Sequence, residues 1–156
     1  MRKIQKGFSL IELLIVVAII LIIAAIAVPS LLRSRAKAQE ASAVASIRFI
    51  NTTCQAYQNA FGIGFPANLT DLGPSASPSS TAADLIDNVL STGMKSGYSF
   101  AYTTPSAAGG NARETYDLTA VPQAGSAASR SFYSNESFVI RQSTAGTATA
   151  ADPPIQ

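Results

Sequence analysis

Residues 6–28 read KGFSLIELLIVVAIILIIAAIAV, and this stretch decides the fold of the chain. No charged residue occurs from Leu13 to Leu32, which is long enough for a bilayer-spanning helix of about 20 residues. One carboxylate, Glu12, lies at its start. Three cations precede that carboxylate: Arg2, Lys3 and Lys6. Because the run exceeds the apolar core of a secretory signal and no convincing cleavage site follows it, we predict a retained membrane helix with its N-terminus in the cytoplasm.

The end of the apolar run contains a proline and is followed by basic residues. Pro29 removes one helical hydrogen bond and crowds the carbonyl of Ala25. This predicts a kink or a locally loosened turn at about residues 25–29 rather than an end, because helical patterning resumes beyond it. Arg33, Arg35 and Lys37 weaken the assignment of topology from charge, and we interpret them as a solvated flank at the membrane edge rather than a phosphate site.

The helical pattern continues as an amphipathic segment over residues 33–61. Positions 36, 40, 43, 47, 50, 54, 57 and 61 recur in steps of three and four, and only Glu40 departs from their apolar character. The opposite face carries Ser34, Gln39, Ser42, Ser46, Asn51 and Gln58. Gly62 and Gly64, followed by Pro66, predict the end of the helix. Since only one stripe of this half is apolar, it must pack against the rest of the chain.

Residues 62–142 have the patterns of a small head. The stretch 80–93 (STAADLIDNVLSTG) predicts a short helix capped by Thr81, with Leu85, Val89 and Leu90 facing inward. Alternation in 97–103 and 115–121, and in 130–142 with a turn at 134–136, predicts an antiparallel sheet of three or four strands. Residues 72–80, 103–112 and 122–130 are predicted loops, and 143–156 a flexible tail. The fold class is therefore α+β, with a long N-terminal helix packed on a sheet.

Composition argues against catalysis. The chain has no histidine, the commonest general base and zinc ligand, and two carboxylates three residues apart in 80–93 are too few for a metal site. Its one cysteine, Cys54, falls on the apolar stripe and is predicted to be a buried packing residue without a disulfide partner. Removing the three leading cations leaves 8 Lys and Arg against 9 Asp and Glu, so no basic stripe predicts nucleic-acid binding. We predict no enzyme activity, metal or cofactor.

The segment KGFSLIELL at 6–14 closely resembles the leader junction of type IV prepilins and pseudopilins. The resemblance implies that a prepilin peptidase cuts between Gly7 and Phe8 and that Phe8 becomes the N-methylated first residue. It also assigns Glu12 as the family's assembly glutamate and Pro29 as its helix-kinking proline. A carboxylate in hydrocarbon is costly unless it is paired, and cleavage creates a cationic amine on Phe8 that a neighbour's Glu12 can meet. Capping of the first helical turn is the alternative role for Glu12.

The resemblance covers residues 3–32 well and implies a ladle-shaped subunit. Its expected parts are a leader (1–7), a membrane and filament-core helix (8–32), the amphipathic continuation (33–61), a head (62–142) and the tail. The implied partners are further copies in a helical filament, the peptidase, an inner-membrane assembly platform and, before assembly, the lipid bilayer. The implied location is the inner membrane first and a surface filament afterwards.

Three function classes remain open at the level of sequence. The first is a type IV pilin subunit of a surface fibre. The second is a type II secretion pseudopilin or a minor pilin at a filament tip, although the calcium-binding loop of major secretion pseudopilins is not identifiable. The third is a membrane-anchored enzyme or binding module, which the junction motif and the missing catalytic groups disfavour.

Overall fold

A single long helix, α1, runs from Leu10 to Phe61 in the computed structural model, which describes residues 8–104 and 113–155. Its 52 residues extend about 78 Å at 1.5 Å per residue. The helix continues through Pro29 without a break in its assignment, so the expectation that it does not end there is confirmed. It ends at Gly62, whose φ of 65° is left-handed and whose N–H donates to the carbonyl of Gln58 at 2.9 Å.

The second half of α1 packs on the head as predicted. Ala43, Ile47, Ile50, Cys54 and Tyr57 are all buried, and they form one side of the hydrophobic core. The prediction that the polar face points away from the head is wrong at two of its positions. Ser46 and Asn51 border the stripe closely enough to be buried as well, so the head covers a wider arc of the helix than the apolar pattern alone predicts.

The head contains a five-stranded antiparallel sheet in sequential order β1-β2-β3-β4-β5. The strands are β1 Met94–Lys95, β2 Tyr98–Thr103, β3 Asp117–Pro122, β4 Ser131–Asn135 and β5 Arg141–Ser143. The α+β prediction is confirmed, and so is the inward alternation of β2 and β3, because Tyr98, Phe100, Leu118 and Ala120 are buried. The additional strand is β1, which has only two residues and is therefore too short to show an alternating pattern.

The predicted helix over 80–93 is mostly wrong. The regular helix is α2, Asn88–Ser91, and a short 3-10 helix, Leu69–Leu72, precedes it. Asp84 adopts a left-handed φ of 55°, which a continuous helix does not accommodate. The cap is Asp87 rather than Thr81, since its carboxylate accepts the N–H of Leu90 at 2.7 Å. Val89 is exposed, contrary to the prediction, while Ile86 is buried.

The hairpin between β4 and β5 also differs from the prediction. Ser134 belongs to β4, and the connection runs from Glu136 to Ile140 instead of occupying 134–136. Phe138 has a φ of 60°, and its N–H donates to the carbonyl of Asn135 at 2.9 Å, which closes the turn. Phe132, Tyr133 and Ile140 of this hairpin are buried, but Phe138 is exposed.

The segment after β5 does not have the structure expected of a free tail. It folds back along β5, where the N–H of Ile155 donates to the carbonyl of Ile140 at 2.9 Å and the N–H of Gln142 donates to that of Pro153 at 3.0 Å. Ala148 is buried, and Ile155 packs against the core. Backbone pairing with the outer edge of β5 holds this segment in place, which its Ala-, Thr- and Gly-rich composition did not predict. Residues 105–112 of the second predicted loop, and Gln156, lie outside the described residues.

Candidate assembly site

The N-terminal part of α1 exposes an apolar surface without any covering from its own chain. From Leu10 to Leu32 every residue except Ala24 is exposed, and Phe8 is 81% exposed. Among the described residues this is one helix whose length and composition allow it to cross a membrane. We call residues 8–32 the apolar stem. An isolated chain in water would expose this whole surface at high cost, so another apolar phase or another protein must cover it.

Glu12 lies in the first turn of the apolar stem. Its carboxylate accepts the backbone N–H of Ser9 at 3.0 Å, and Ser9 is the N-cap residue of α1. This contact is the capping interaction that the sequence left as the alternative role, and a carboxylate is favourable at the positive end of a helix. It uses one oxygen of the carboxylate, so it leaves acceptor capacity for a second donor. Gly7, the predicted cleavage residue, lies outside the described residues.

Three cations follow the apolar stem and are exposed on the helix: Arg33, Arg35 and Lys37. Their exposure is compatible with their interpretation as a solvated flank of a membrane span. No described cation other than Lys95 and Arg130 forms an ion pair. The described residues also contain no group of three or more His, Cys, Asp or Glu side chains placed to hold a metal ion.

A partly buried ion pair holds the second half of α1 to the sheet, and the sequence prediction missed it. The carboxylate of Glu40 accepts from Arg130 at 2.6 Å and 2.9 Å, and a third guanidinium N–H donates to the side-chain oxygen of Gln142 at 2.9 Å. The Glu40 side chain is 9% exposed and that of Arg130 39%. Hydrogen bonding to Glu40 raises the pKa of Arg130 above its ordinary value. The available signal was Glu40 itself, the one charged residue on the apolar stripe.

A second polar connection crosses the core farther along α1. Asn51 donates to the hydroxyl of Ser134 at 2.8 Å and accepts from the hydroxyl of Tyr116 at 2.9 Å. All three residues are buried. Burial raises the pKa of Tyr116, which keeps its hydroxyl protonated as a donor. Because a buried amide needs partners, this network fixes the register of the helix against β4 and against Tyr116, the residue just before β3.

Cys54 lies where the apolar stripe predicts it. It is fully buried, and its sulfur is 3.9 Å from the hydroxyl of Tyr102. Desolvation raises the pKa of the thiol to about 12, so the reactive thiolate is disfavoured at neutral pH. The prediction of a packing residue is confirmed.

Comparisons with known proteins match part of the chain. Residues 2–28 match the model of the prokaryotic N-terminal methylation motif. A fimbrial protein of Pseudomonas aeruginosa is 49% identical over 53 residues, 34% of each chain. A type IV major pilin protein, PilE1, of Neisseria gonorrhoeae is 35% identical over 89 residues, 57% of this chain and 53% of that one. The chain therefore spans about a third to a half of the length of these relatives. No solved structure matches it.

Proposed function

We propose that this chain, a type IV pilin-like protein with the N-terminal methylation motif, is a structural subunit that polymerises through its apolar stem into a surface filament. The observation that carries the proposal is the exposure of the apolar stem, on a helix whose other half is fixed to a folded head. Such a surface has two stable environments, the bilayer and a bundle of identical stems. A subunit can pass from one to the other without refolding.

The proposed sequence of events begins with membrane insertion. The stem spans the inner membrane, and the head lies outside the cytoplasm. A prepilin peptidase then removes residues 1–7, cutting after Gly7, and Phe8 is N-methylated. An inner-membrane assembly platform transfers the mature subunit into a helical homo-oligomer. The result is an inner-membrane protein before assembly and a surface filament afterwards.

Within this proposal Glu12 has a role at each stage. Before assembly its carboxylate caps the start of α1 through Ser9. During assembly it offers its remaining acceptor sites to the Phe8 amine of a neighbouring copy, and this pair sets the axial register of the stems. We also propose that Pro29 bends or loosens α1 near its own turn, which allows the stems to pack closely around the filament axis.

The second candidate is a pseudopilin of type II secretion or a minor pilin, since the methylation motif and apolar stem suit these proteins equally. Isolation of sheared surface material from wild-type cells separates the candidates. A filament subunit is the dominant band of that fraction, with a mature N-terminus at methylated Phe8 by mass spectrometry. A chain that stays in the membrane fraction, and is absent or minor in sheared fibres, would support the second candidate instead.

A further inference from the structure

An open cleft of about 660 Å³ lies between α1 and the segment that follows β5. Its lining is mixed. It contains the Glu40–Arg130 ion pair, the partly exposed apolar side chains of Val44 and Ile155, and two exposed cations of α1, Lys37 and Arg48. We call this surface the cationic groove. Lys37 and Arg48 are 11 residues apart, which is three helical turns, so they lie on the same side of α1 about 16 Å apart. Neither forms an ion pair within the described part of the chain.

A surface of opposite charge lies at the turn between β4 and β5. Four consecutive exposed residues, Glu136 to Val139, form what we call the hairpin tip. It combines a carboxylate without an ion pair among the described residues with two apolar side chains, Phe138 and Val139, that are 37% and 38% exposed. The turn is well defined, because the side-chain oxygen of Asn135 accepts from the backbone N–H of Ser137 at 3.1 Å and from its hydroxyl at 2.6 Å.

The two surfaces lie at different heights along α1. Arg130, just before β4, bonds Glu40, whereas Ser134, near the end of β4, bonds Asn51. Strand β4 therefore runs beside the helix in the same direction, and the hairpin tip that follows it lies beyond the level of Asn51. Glu40 and Asn51 are separated by about 16 Å along the axis. The cationic groove lies beside residues 37–48 of α1, nearer its N-terminus than the hairpin tip. The groove and the tip therefore cannot meet within one chain, but a second copy shifted along the helix axis can bring them together.

We propose that the hairpin tip of one copy docks in the cationic groove of the next copy. Phe138 then contacts the apolar side chains of Val44 and Ile155, and Glu136 pairs with Lys37 or Arg48. The contact joins two different patches of identical chains with an axial offset, which is the type of contact that propagates into an open fibre instead of closing a ring. This inference rests on the proposed function and adds the head surface through which neighbouring subunits recognise each other.

Anionic lipid headgroups are a poorer occupant of the groove. Arg48 is 16 residues beyond Leu32, the last residue of the apolar stem, which places it about 24 Å farther along α1. That separation exceeds the Debye length of about 8 Å at physiological ionic strength, so headgroups can reach Lys37 but not Arg48. The apolar side chains of Val44 and Ile155 between the cations also favour a partner that carries both a charge and an apolar side chain.

Cross-linking in native fibres tests the contact. Full-length chains carrying Glu136→Cys with either Arg48→Cys or Lys37→Cys are assembled in cells, and their sheared fibres are treated with a short bifunctional maleimide. We expect a ladder of covalent dimers and higher oligomers from at least one pair. The matched control is Glu114→Cys with Arg48→Cys, which removes a carboxylate at another exposed position and should stay monomeric. Cys54 is fully buried and should not react.

A charge-reversal series gives a second, independent measurement if the cysteines lower fibre yield. Glu136→Arg alone should reduce sheared fibre on the order of tenfold or more, because like charges then meet in the groove. Adding Lys37→Glu and Arg48→Glu should restore most of it. Fibres that form normally and accept maleimide at both positions without a ladder would overturn the docking contact but leave the filament proposal intact, as would a triple variant without recovery. A wild-type chain that forms no fibre would overturn both.

Discussion

At the scale of single residues, the processing site is a prediction that depends on Gly7. Gly7→Val should leave the precursor uncut, because a branched side chain obstructs close approach of the peptidase to the scissile backbone. Intact-mass measurement of the membrane fraction should find the leader retained. Ile11→Val, which also places valine near the junction but beyond the cleaved bond, is the control and should be cut normally. A mature N-terminus at Phe8 in the Gly7 variant would contradict the assignment.

Cys54 gives a second prediction, on reactivity and pH. The folded thiol has a pKa raised from 9.0 to about 12 by burial. Folded subunits in detergent should therefore resist alkylation at neutral pH, while unfolded subunits react. As pH rises above the ordinary value, the unfolded chain releases a proton that the folded chain keeps, so the free energy of unfolding falls.

Thermal unfolding at neutral and alkaline pH checks the sign of this effect. Burial also raises the pKa of Tyr98 and Tyr133 to about 12, so both the wild type and Cys54→Ala should lose stability at alkaline pH. The variant should lose less, because it lacks the thiol's share. An identical pH dependence of the two chains, or rapid alkylation of the folded wild type, would show that the thiol is more accessible than the structure indicates.

At the scale of elements, the connection between α1 and the sheet predicts an asymmetric response to mutation. Arg130→Ala leaves the carboxylate of Glu40 buried without its partner, whereas Glu40→Gln leaves a guanidinium that is already partly in water. Removing the arginine should therefore lower the free energy of unfolding more, by about 1–3 kcal/mol after allowance for its exposure. Thermal unfolding of the full chain in detergent compares them. Equal losses would mean that the pair contributes through packing alone.

The elements also show where sequence patterns suffice. The apolar stripe of α1 and the alternation of β2 and β3 predicted the main packing correctly, because burial of one face fixes a period of 3.6 or 2 over many residues. Short elements carry too few periods for this. Helix α2 has only 4 residues. The left-handed φ of Asp84 before it could not be predicted either, because no glycine marks that position in the sequence. The segment after β5 is ordered by backbone pairing, which composition does not reveal.

In the candidate site, too, features that depend on neighbouring residues could be predicted, and contacts between distant residues could not. The resemblance of residues 6–14 to the prepilin junction predicts roles for Gly7, Phe8 and Glu12, and these roles stay predictions. The contact between Glu12 and Ser9 is local, so it is within reach of sequence reasoning. The Glu40–Arg130 pair joins residues 90 positions apart. Its partner could not be inferred, although Glu40 on an apolar stripe indicated that some cation had to be close. The cationic groove and hairpin tip depend on tertiary placement and had no sequence signal.

At the scale of the whole molecule, the stem and head separate two tasks. The head keeps its own core against residues 43–57 of α1, and among the described residues no member of that core belongs to the apolar stem. Under the proposed function, the stem exchanges lipid for neighbouring stems while the head stays folded. A polar group on the stem must suit both environments, and Glu12 is the single charged residue there. Its removal should consequently affect assembly without affecting folding.

Glu12→Gln isolates the charge, since glutamine preserves size and hydrogen-bonding capacity. The precursor should still insert, because the run from Leu13 to Leu32 is untouched, and cleavage after Gly7 should proceed on an intact junction. Glutamine can still accept the N–H of Ser9, so the helix start should persist. Polymerisation should fail, because each neighbouring Phe8 amine would be buried without a counter-ion at a cost of about 3–5 kcal/mol per subunit.

Fractionation of cells that express only the Glu12→Gln chain measures the outcome, with mature subunit quantified in the membrane and in sheared fibres. Mature subunit that accumulates in the membrane without fibre is the expected result. Glu12→Asp is the informative companion, because it keeps the charge on a shorter side chain and should retain part of the fibre yield. If Glu12→Gln produced fibres at the wild-type level, capping of α1 would be the whole role of the carboxylate, and the register of the stems would have to come from head contacts such as the hairpin tip and the cationic groove.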